Sequence, residues 1–125
     1  MAAGVVTITE AEDGLRVKRI KFEWTSGTDG EAGTASGETT VPYGGKVERL
    51  ITDPDGTDAP TDNYDIEILD EDGYDVLAGA GANRDTANTE QVLASSLGIV
   101  AWSTLTLNVT NAGSAKSGVV YLYIL

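Results

Sequence analysis

The sequence predicts an all-β fold, an antiparallel β-sandwich or small barrel of about seven to eight strands with at most one short helix. Three observations predict this class. Short runs of β-branched or alternating apolar residues recur along the chain; Gly, Asp, Asn and Pro separate them; and convincing helical spacing is nearly absent. With 125 residues, the chain is predicted to form one domain, residues 1–125, that can bury a core without disulfides or metals.

The first two strand patterns flank a turn signal at residues 12–14. Residues 5–9 are all β-branched, and residues 15–24 alternate, but their phase changes midway. Leu15 and Val17 share one parity, whereas Ile20, Phe22 and Trp24 share the other. One extra residue near positions 18 and 19 would restore a single buried face, so the pattern predicts a β-bulge there.

With that bulge, four bases would lie on one exposed face as a basic ribbon. One interpretation is a solvated face whose bases pair with acidic residues of the same chain, and such surface ion pairs are common. The other interpretation is a contact surface for another protein. The four residues are Arg16, Lys18, Arg19 and Lys21.

Residues 25–40 have a linker-like composition, with four glycines and no apolar side chain larger than Ala. Such a segment is predicted to be a flexible loop, or an extended arm that becomes ordered against a neighbouring protein. On the second interpretation, its candidate contact residues are Thr28, Asp29 and Glu31.

The next strand pattern lies at residues 46–52, and the remaining ones lie in the second half of the chain. Tyr64, Ile66 and Ile68 are predicted to face the core, in a hairpin that turns at residues 70–73 with Gly73 in the left-handed region. A short helix is predicted at residues 89–93, and strands at 104–110 and 119–125. The last strand is apolar on both faces, which predicts either a central strand covered on both sides or a subunit interface.

The negative charge is concentrated in residues 51–75, which carry ten carboxylates and no Lys or Arg in a chain of net charge −12. The pattern Asp-x-Asp-Gly-x-Asp occurs there twice, at residues 53–58 and 70–75. It is interpreted either as a pair of tight turns or as a calcium site, although the EF-hand spacing fails because Gly is fourth and position twelve is Tyr64. The candidate metal ligands are Asp53, Asp55, Asp58, Asp70, Asp72 and Asp75.

The composition favours a protein that is not an enzyme and has no cofactor other than this candidate calcium. The chain has no His and no Cys, which removes the commonest general base and the thiol nucleophile, and no catalytic motif is present. Its pI of about 4.1 disfavours nucleic acid and anionic membrane as partners. No apolar run approaches the roughly 18 residues of a membrane span.

Several segments resemble small virion structural proteins of tailed bacteriophages, of the head decoration (cement) type. They are Thr-Asp-Pro-Asp-Gly at 52–56, Asp-Asn-Tyr-Asp-Ile at 62–66, Asp-Glu-Asp-Gly at 70–73, Gly-Ala-Gly-Ala-Asn-Arg-Asp at 79–85, and Leu-Thr-Leu-Asn-Val-Thr-Asn-Ala-Gly at 105–113, together with the closing strand. The resemblance covers about the last three-quarters of the chain as a pattern of turns and strands, without a catalytic motif.

The resemblance implies a non-catalytic protein made in a bacterial cytoplasm that binds the assembled capsid exterior. Its partner would be the major capsid protein, and it could self-associate, for example as a trimer. The alternatives are a neck, tail or fibre-associated virion component, an immunoglobulin-like carbohydrate- or cell-surface-binding module, and a calcium-dependent adhesion repeat. A carbohydrate module would need an aromatic platform, for which Tyr43, Tyr74, Tyr121 and Tyr123 are available.

Overall fold

A computed structural model describes residues 2–11 and 17–125 and confirms the all-β class. In these residues the helices are two 3₁₀ turns, Asp29–Glu31 and Ala94–Ser96, and no helix is long and apolar enough to cross a membrane. The described part of the chain contains nine strands: β1 (Val5–Ala11), β2 (Lys18–Thr25), β3 (Ala35–Glu38), β4 (Tyr43–Pro54), β5 (Asp65–Leu69), β6 (Glu90–Leu93), β7 (Ile99–Ser103), β8 (Thr106–Thr110) and β9 (Ser117–Ile124).

The strands form two antiparallel sheets. The large sheet has the order β1-β2-β9-β4-β6. Strand β4 also pairs with β7: its residues 43–46 pair with β7, and its residues 49–52 pair with β6. The small sheet has the order β3-β8-β5. The large sheet is curled like a half-barrel, and the small sheet lies against its inner face. Strand β9 is therefore central in the large sheet, as one interpretation of its sequence predicted. It is not covered on both sides, however, because Val119, Tyr121 and Tyr123 on its outer side are only partly buried.

The core lies between the two sheets and follows the alternation that the sequence shows. In β2, Ile20, Phe22 and Trp24 are buried, as predicted. Tyr64, Ile66 and Ile68 also face the core, each at most 1% exposed. From β9 the buried residues are Val120, Leu122 and Ile124, and from the 105–109 region Leu105, Leu107 and Val109.

The predicted β-bulge in β2 is wrong for the described residues. Strand β2 pairs with β9 from Lys18 to Thr25 without a register shift, and Val17 is 47% exposed instead of buried. The three large apolar residues of β2 set the register, and one exposed Val costs less than disrupting the ladder. Leu15 lies outside the described residues. A register shift does occur in β4, between Val47 and Arg49, where Glu48 is the extra residue.

The segment 25–40 is not a separate arm, because it contains β3, which pairs with β8. Two features make this possible despite the lack of large apolar side chains. Backbone pairing replaces apolar anchoring, and Gly37 lets β3 approach β1, since a Cβ at this position would lie 2.7 Å from Val6 Cβ. Ala35 and Thr39 are buried at either end of the strand.

The predicted helix at residues 89–93 is wrong, because Glu90–Leu93 forms β6 beside β4. Four residues are too few for their local pattern to outweigh pairing with an open strand edge. The turn at 70–73 has the predicted geometry: Gly73 has φ +86°, and its amide donates to the Asp70 carbonyl at 3.0 Å. The return leg is shorter than predicted, a single bridge between Leu69 and Asp75.

Candidate functional site: the outer face of the large sheet

The outer face of the large sheet carries the side chains that alternate with those of the core. Register places these side chains in rows across the strands. In one row Arg19 pairs with Tyr123 and Tyr123 with Arg49; in the next, Lys21 pairs with Tyr121 and Tyr121 with Ile51. This face is the feature that gathers chemically distinctive residues from separate parts of the sequence.

One half of this face, which we term the basic half, combines cations with exposed apolar side chains. Four of the seven Lys and Arg residues that the structure describes lie there: Arg19, Lys21, Lys46 and Arg49. The apolar residues at its margin are unusually exposed: Val17 47%, Leu93 58%, Ile99 71% and Leu125 42%. Exposed apolar groups beside long cationic side chains are typical of protein contact surfaces.

Two tyrosines of β9 hold two of these cations in place. The guanidinium of Arg49 lies over the Tyr123 ring at 5.5 Å, and that of Arg19 lies over the Tyr121 ring at 5.8 Å. Arg49 Nε also donates to Gln91 Oε1 at 2.8 Å. Such contacts contribute about 0.5–1 kcal/mol each at exposed sites, and they reduce the side-chain entropy that a partner would have to remove.

The other half of the outer face, which we term the acidic half, follows directly along the same strands. It contains Glu23 of β2, Asp53 of β4 and Asp55 of the following turn, beside the polar residues Thr7, Thr25 and Ser117. With neighbouring residues these side chains line a groove of about 560 Å³. Lys21 and Glu23 form an ion pair at 3.7 Å where the two halves meet. The face therefore changes sign along its strands.

The structure divides the predicted basic ribbon. Arg19 and Lys21 lie on the outer face, but Lys18 shares the parity of Ile20 and donates to the Gly44 carbonyl at 3.3 Å. Without a bulge, alternation places positions 18 and 19 on opposite faces. Arg16 lies outside the described residues. The ribbon is thus replaced by a patch whose other cations, Lys46 and Arg49, come from β4.

The structure does not bring the second set of predicted contacts to this patch. Thr28, Asp29 and Glu31 lie beyond the Thr25 end of β2, about 20 Å along the strand from Arg19. Thr28 is bonded within the chain: its amide donates to the Ala2 carbonyl at 2.8 Å, and its Oγ1 accepts from the Ala2 amide at 3.0 Å.

The first Asp-rich pattern forms a turn that its own carboxylate stabilises. Asp55 accepts hydrogen bonds from the amides of Asp58, at 2.7 Å, and Thr57, at 3.0 Å, and these bonds lower the pKa of its carboxyl. Asp53 accepts from Thr89 Oγ1 at 2.9 Å. The amide contacts of Asp55 are those of an Asx-type turn.

The second pattern uses its carboxylates in the same way. Asp70 Oδ1 accepts from the amides of Asp72 and Tyr74, both at 3.0 Å. Asp75 accepts from the amides of Ile68, Leu77 and Gly79. Because the Glu71 amide donates to Ser103, which pairs with Tyr43 at the start of β4, this turn and the one after Pro54 lie at opposite ends of the molecule.

The six aspartates predicted as metal ligands therefore do not form one site. Within residues 2–11 and 17–125, no three acidic side chains are placed to hold one ion. The observed geometry is that of two independent turns.

The contribution of β4 to the basic half was not predicted from the sequence. The register between paired strands decides which side chains lie side by side, and the sequence of a single strand does not reveal that register. A signal was nevertheless present. Tyr121 and Tyr123 make the outer side of β9 apolar, and both cation–tyrosine contacts form on it. A second missed feature is Trp102, which is 73% exposed and has φ +50°.

Comparisons with known proteins do not assign a family to the chain. No family model matches it, and no curated protein matches it. Among solved structures, it is similar to the enzymatically active domain of tailspike protein 4 of bacteriophage CBA120, with 17% identity and a TM-score of 0.43 over 97% of this chain. The chain spans 19% of that tailspike chain. A similarity of this degree carries no argument about function.

Proposed function

We propose that this protein is a non-catalytic structural component of a tailed-bacteriophage particle, held in the particle by protein–protein contacts on the outer face of its large sheet. The sequence resemblance to small virion proteins supports the proposal that the protein belongs to a phage particle. The observation that supports this contact surface is the basic half, where four of the seven described bases and four exposed apolar residues lie together in a chain of net charge −12.

The basic half fits a protein surface that is acidic and partly apolar. Cations attract such a surface and set its orientation, while the exposed apolar margin supplies burial. The arginines are already positioned by Tyr121, Tyr123 and Gln91, so fewer rotamers are lost on contact. Electrostatic repulsion between nucleic acid and the rest of this acidic chain disfavours a nucleic-acid partner.

A carbohydrate-binding role is less well supported by the four tyrosines. Tyr43 is 1% exposed and Tyr74 lies in a turn, away from the sheet face. The two tyrosines on the outer face each have a guanidinium over the ring, in the position that a stacked sugar would occupy. No flat open aromatic platform results from these residues.

Mixing the purified protein with undecorated phage heads, and separately with tails, tests the proposal. We expect co-sedimentation with one of the two particles, which also decides between decoration of the head and a neck, tail or fibre position. Arg49→Glu is expected to reduce the bound fraction at least tenfold, because it reverses a charge in the basic half. Lys116→Glu makes the same charge change outside that half and should bind as the parent does.

Failure to sediment with either particle would contradict the proposed function. Equal loss of binding in Arg49→Glu and Lys116→Glu would show that total charge, and not the outer face, determines attachment.

A further inference from the structure

The outer face carries both signs of charge on the same strands, so the face as a whole can be complementary to a second copy of itself. Lys21 and Glu23 lie two positions apart on β2, and Arg49 and Asp53 lie four apart on β4. On the central strand β9, Tyr121 belongs to the basic half and Val119 to the acidic half. A line across the strands between Tyr121 and Val119 therefore separates the two signs.

We propose that the occupant of this face is a second copy of the chain, related by a two-fold axis that runs across the strands along this line. Such an axis lays the basic half of each copy on the acidic half of the other. It brings Lys21 opposite Glu23 of the second copy, Arg49 opposite Asp55, and Tyr121 opposite Val119. A two-fold interface requires this kind of self-complementarity, in which each contact occurs twice.

The dimensions of the face suit a weak pair. The large sheet is curled, with the small sheet on its inner side, so its outer face is convex and a second copy meets mainly the central strands β2, β9 and β4. Three strands about 4.8 Å apart and some eight residues of β4 at about 3.3 Å each give a contact on the order of 400 Å² per copy. This area is small for a specific interface, and the net charge of −12 on each copy opposes association. The pair is therefore expected to form at about 100 µM protein and to depend on local charge complementarity.

This inference rests on the proposed function, since it names the neighbour at the surface through which the protein is held in its particle.

A charge-swap experiment tests the pairing. Lys21→Glu puts a second carboxylate beside Glu23, and Glu23→Lys puts a second ammonium beside Lys21, so two copies of either variant would meet with like charges. Sedimentation velocity at about 100 µM should show the parent as a dimer and each variant as a monomer. An equimolar mixture of the two variants should form a dimer again, because opposite charges then meet.

Glu67→Lys, on the small sheet, is the matched control for Glu23→Lys because it changes the net charge equally. It should remain a dimer. A monomeric parent, a trimer, or variants whose association equals that of the parent would overturn the two-fold pair.

The particle assay separates this inference from the proposed function. A monomeric parent that still co-sediments with particles would overturn the pairing and leave the proposed function standing, with an acidic virion protein as the partner. A charge-swapped pair that forms as expected, from a protein that binds neither heads nor tails, would support the pairing and contradict the proposed function.

Discussion

Glu10 shows how one carboxylate links the first strand to the start of β4. Its Oε1 accepts from the buried Tyr43 hydroxyl at 2.8 Å, and its Oε2 accepts from Thr40 Oγ1 at 2.6 Å. Burial works against ionisation of Glu10, but hydrogen bonds from Thr40 and Tyr43 outweigh it and lower the pKa of the carboxyl from its ordinary 4.5. The ionised form therefore stabilises the fold.

We predict that Glu10→Gln reduces the free energy of unfolding by about 1 kcal/mol at pH 7, a value discounted for the partial exposure of the group. A carboxyl whose pKa is lower in the folded state contributes fully above its unfolded pKa and loses its contribution as pH falls through the folded value. The difference between parent and variant should thus shrink below pH 4.5.

Urea denaturation of both proteins at neutral and acidic pH measures this difference. Glu67→Gln, an exposed carboxylate on β5, is the control. A Glu10→Gln deficit that stays constant through the acid range would show that the side chain acts through packing and not through its charge.

Gly118 is the residue that allows Trp24 to lie in the core. A Cβ at position 118 would lie 2.7 Å from Trp24 Cζ2, and the ring is 2% exposed, so it cannot move aside. We predict that Gly118→Ala lowers the free energy of unfolding by about 1–3 kcal/mol through overpacking. Denaturation followed by Trp fluorescence measures this loss.

Gly56→Ala is the matched control, because an added Cβ there meets nothing within 4 Å. Equal stability of the two variants would mean that the indole shifts without cost.

At the scale of single elements, the strands whose apolar residues alternate cleanly were predicted from the sequence. The short strands without such a pattern, which form because a partner strand is available, were not. The apolar phase of residues 20–24 and 64–68 identifies buried faces, because one slip would expose three large side chains. Strands β3 and β6 have four residues each and no such phase. Partner strands that come from distant sequence determine them, and one chain read alone does not reveal such partners.

The candidate site was predictable to a similar degree. The cations of β2 and the doubly apolar β9 are visible in the sequence, but their meeting with Arg49 depends on register and on the shift at Val47–Arg49 in β4. A shift of one residue there would turn Arg49 toward the core, so the position of this bulge decides whether the patch exists.

Strand β3 offers a direct test of the 25–40 segment. We predict that the amides of β3 that pair with β8 exchange with solvent as slowly as those of β8 itself, because they share one ladder. Thr39 fixes the end of this strand: its amide donates to the Leu105 carbonyl at 2.9 Å, and its Oγ1 accepts from the Leu105 amide at 3.1 Å. Hydrogen exchange read by NMR measures the rates. Exchange at the unprotected rate would show that the segment is an arm after all.

At the scale of the whole molecule, the acidic sequence stretch is divided between two ends. The turn after Pro54 continues the acidic half of the outer face, while the turn at 70–73 follows the small sheet. Strand β4 separates them by about 35 Å, given its twelve residues. Separation keeps two clusters of like charge apart, and it leaves the basic half of the outer face between them.

This separation predicts how the protein responds to calcium. A site with a Kd of about 10⁻⁵ M would gain about 2.7 kcal/mol of stability from about 1 mM calcium. We expect no such gain, because the Asp-rich turns lie at opposite ends and their carboxylates accept backbone amides. Any divalent cation will raise the melting temperature slightly by screening the net charge of −12, so magnesium at equal concentration is the control. Thermal melts in calcium, magnesium and EDTA, with a calorimetric titration, measure the difference. A larger rise with calcium than with magnesium, accompanied by heat of binding, would mean that one turn alone holds the ion with the help of solvent ligands.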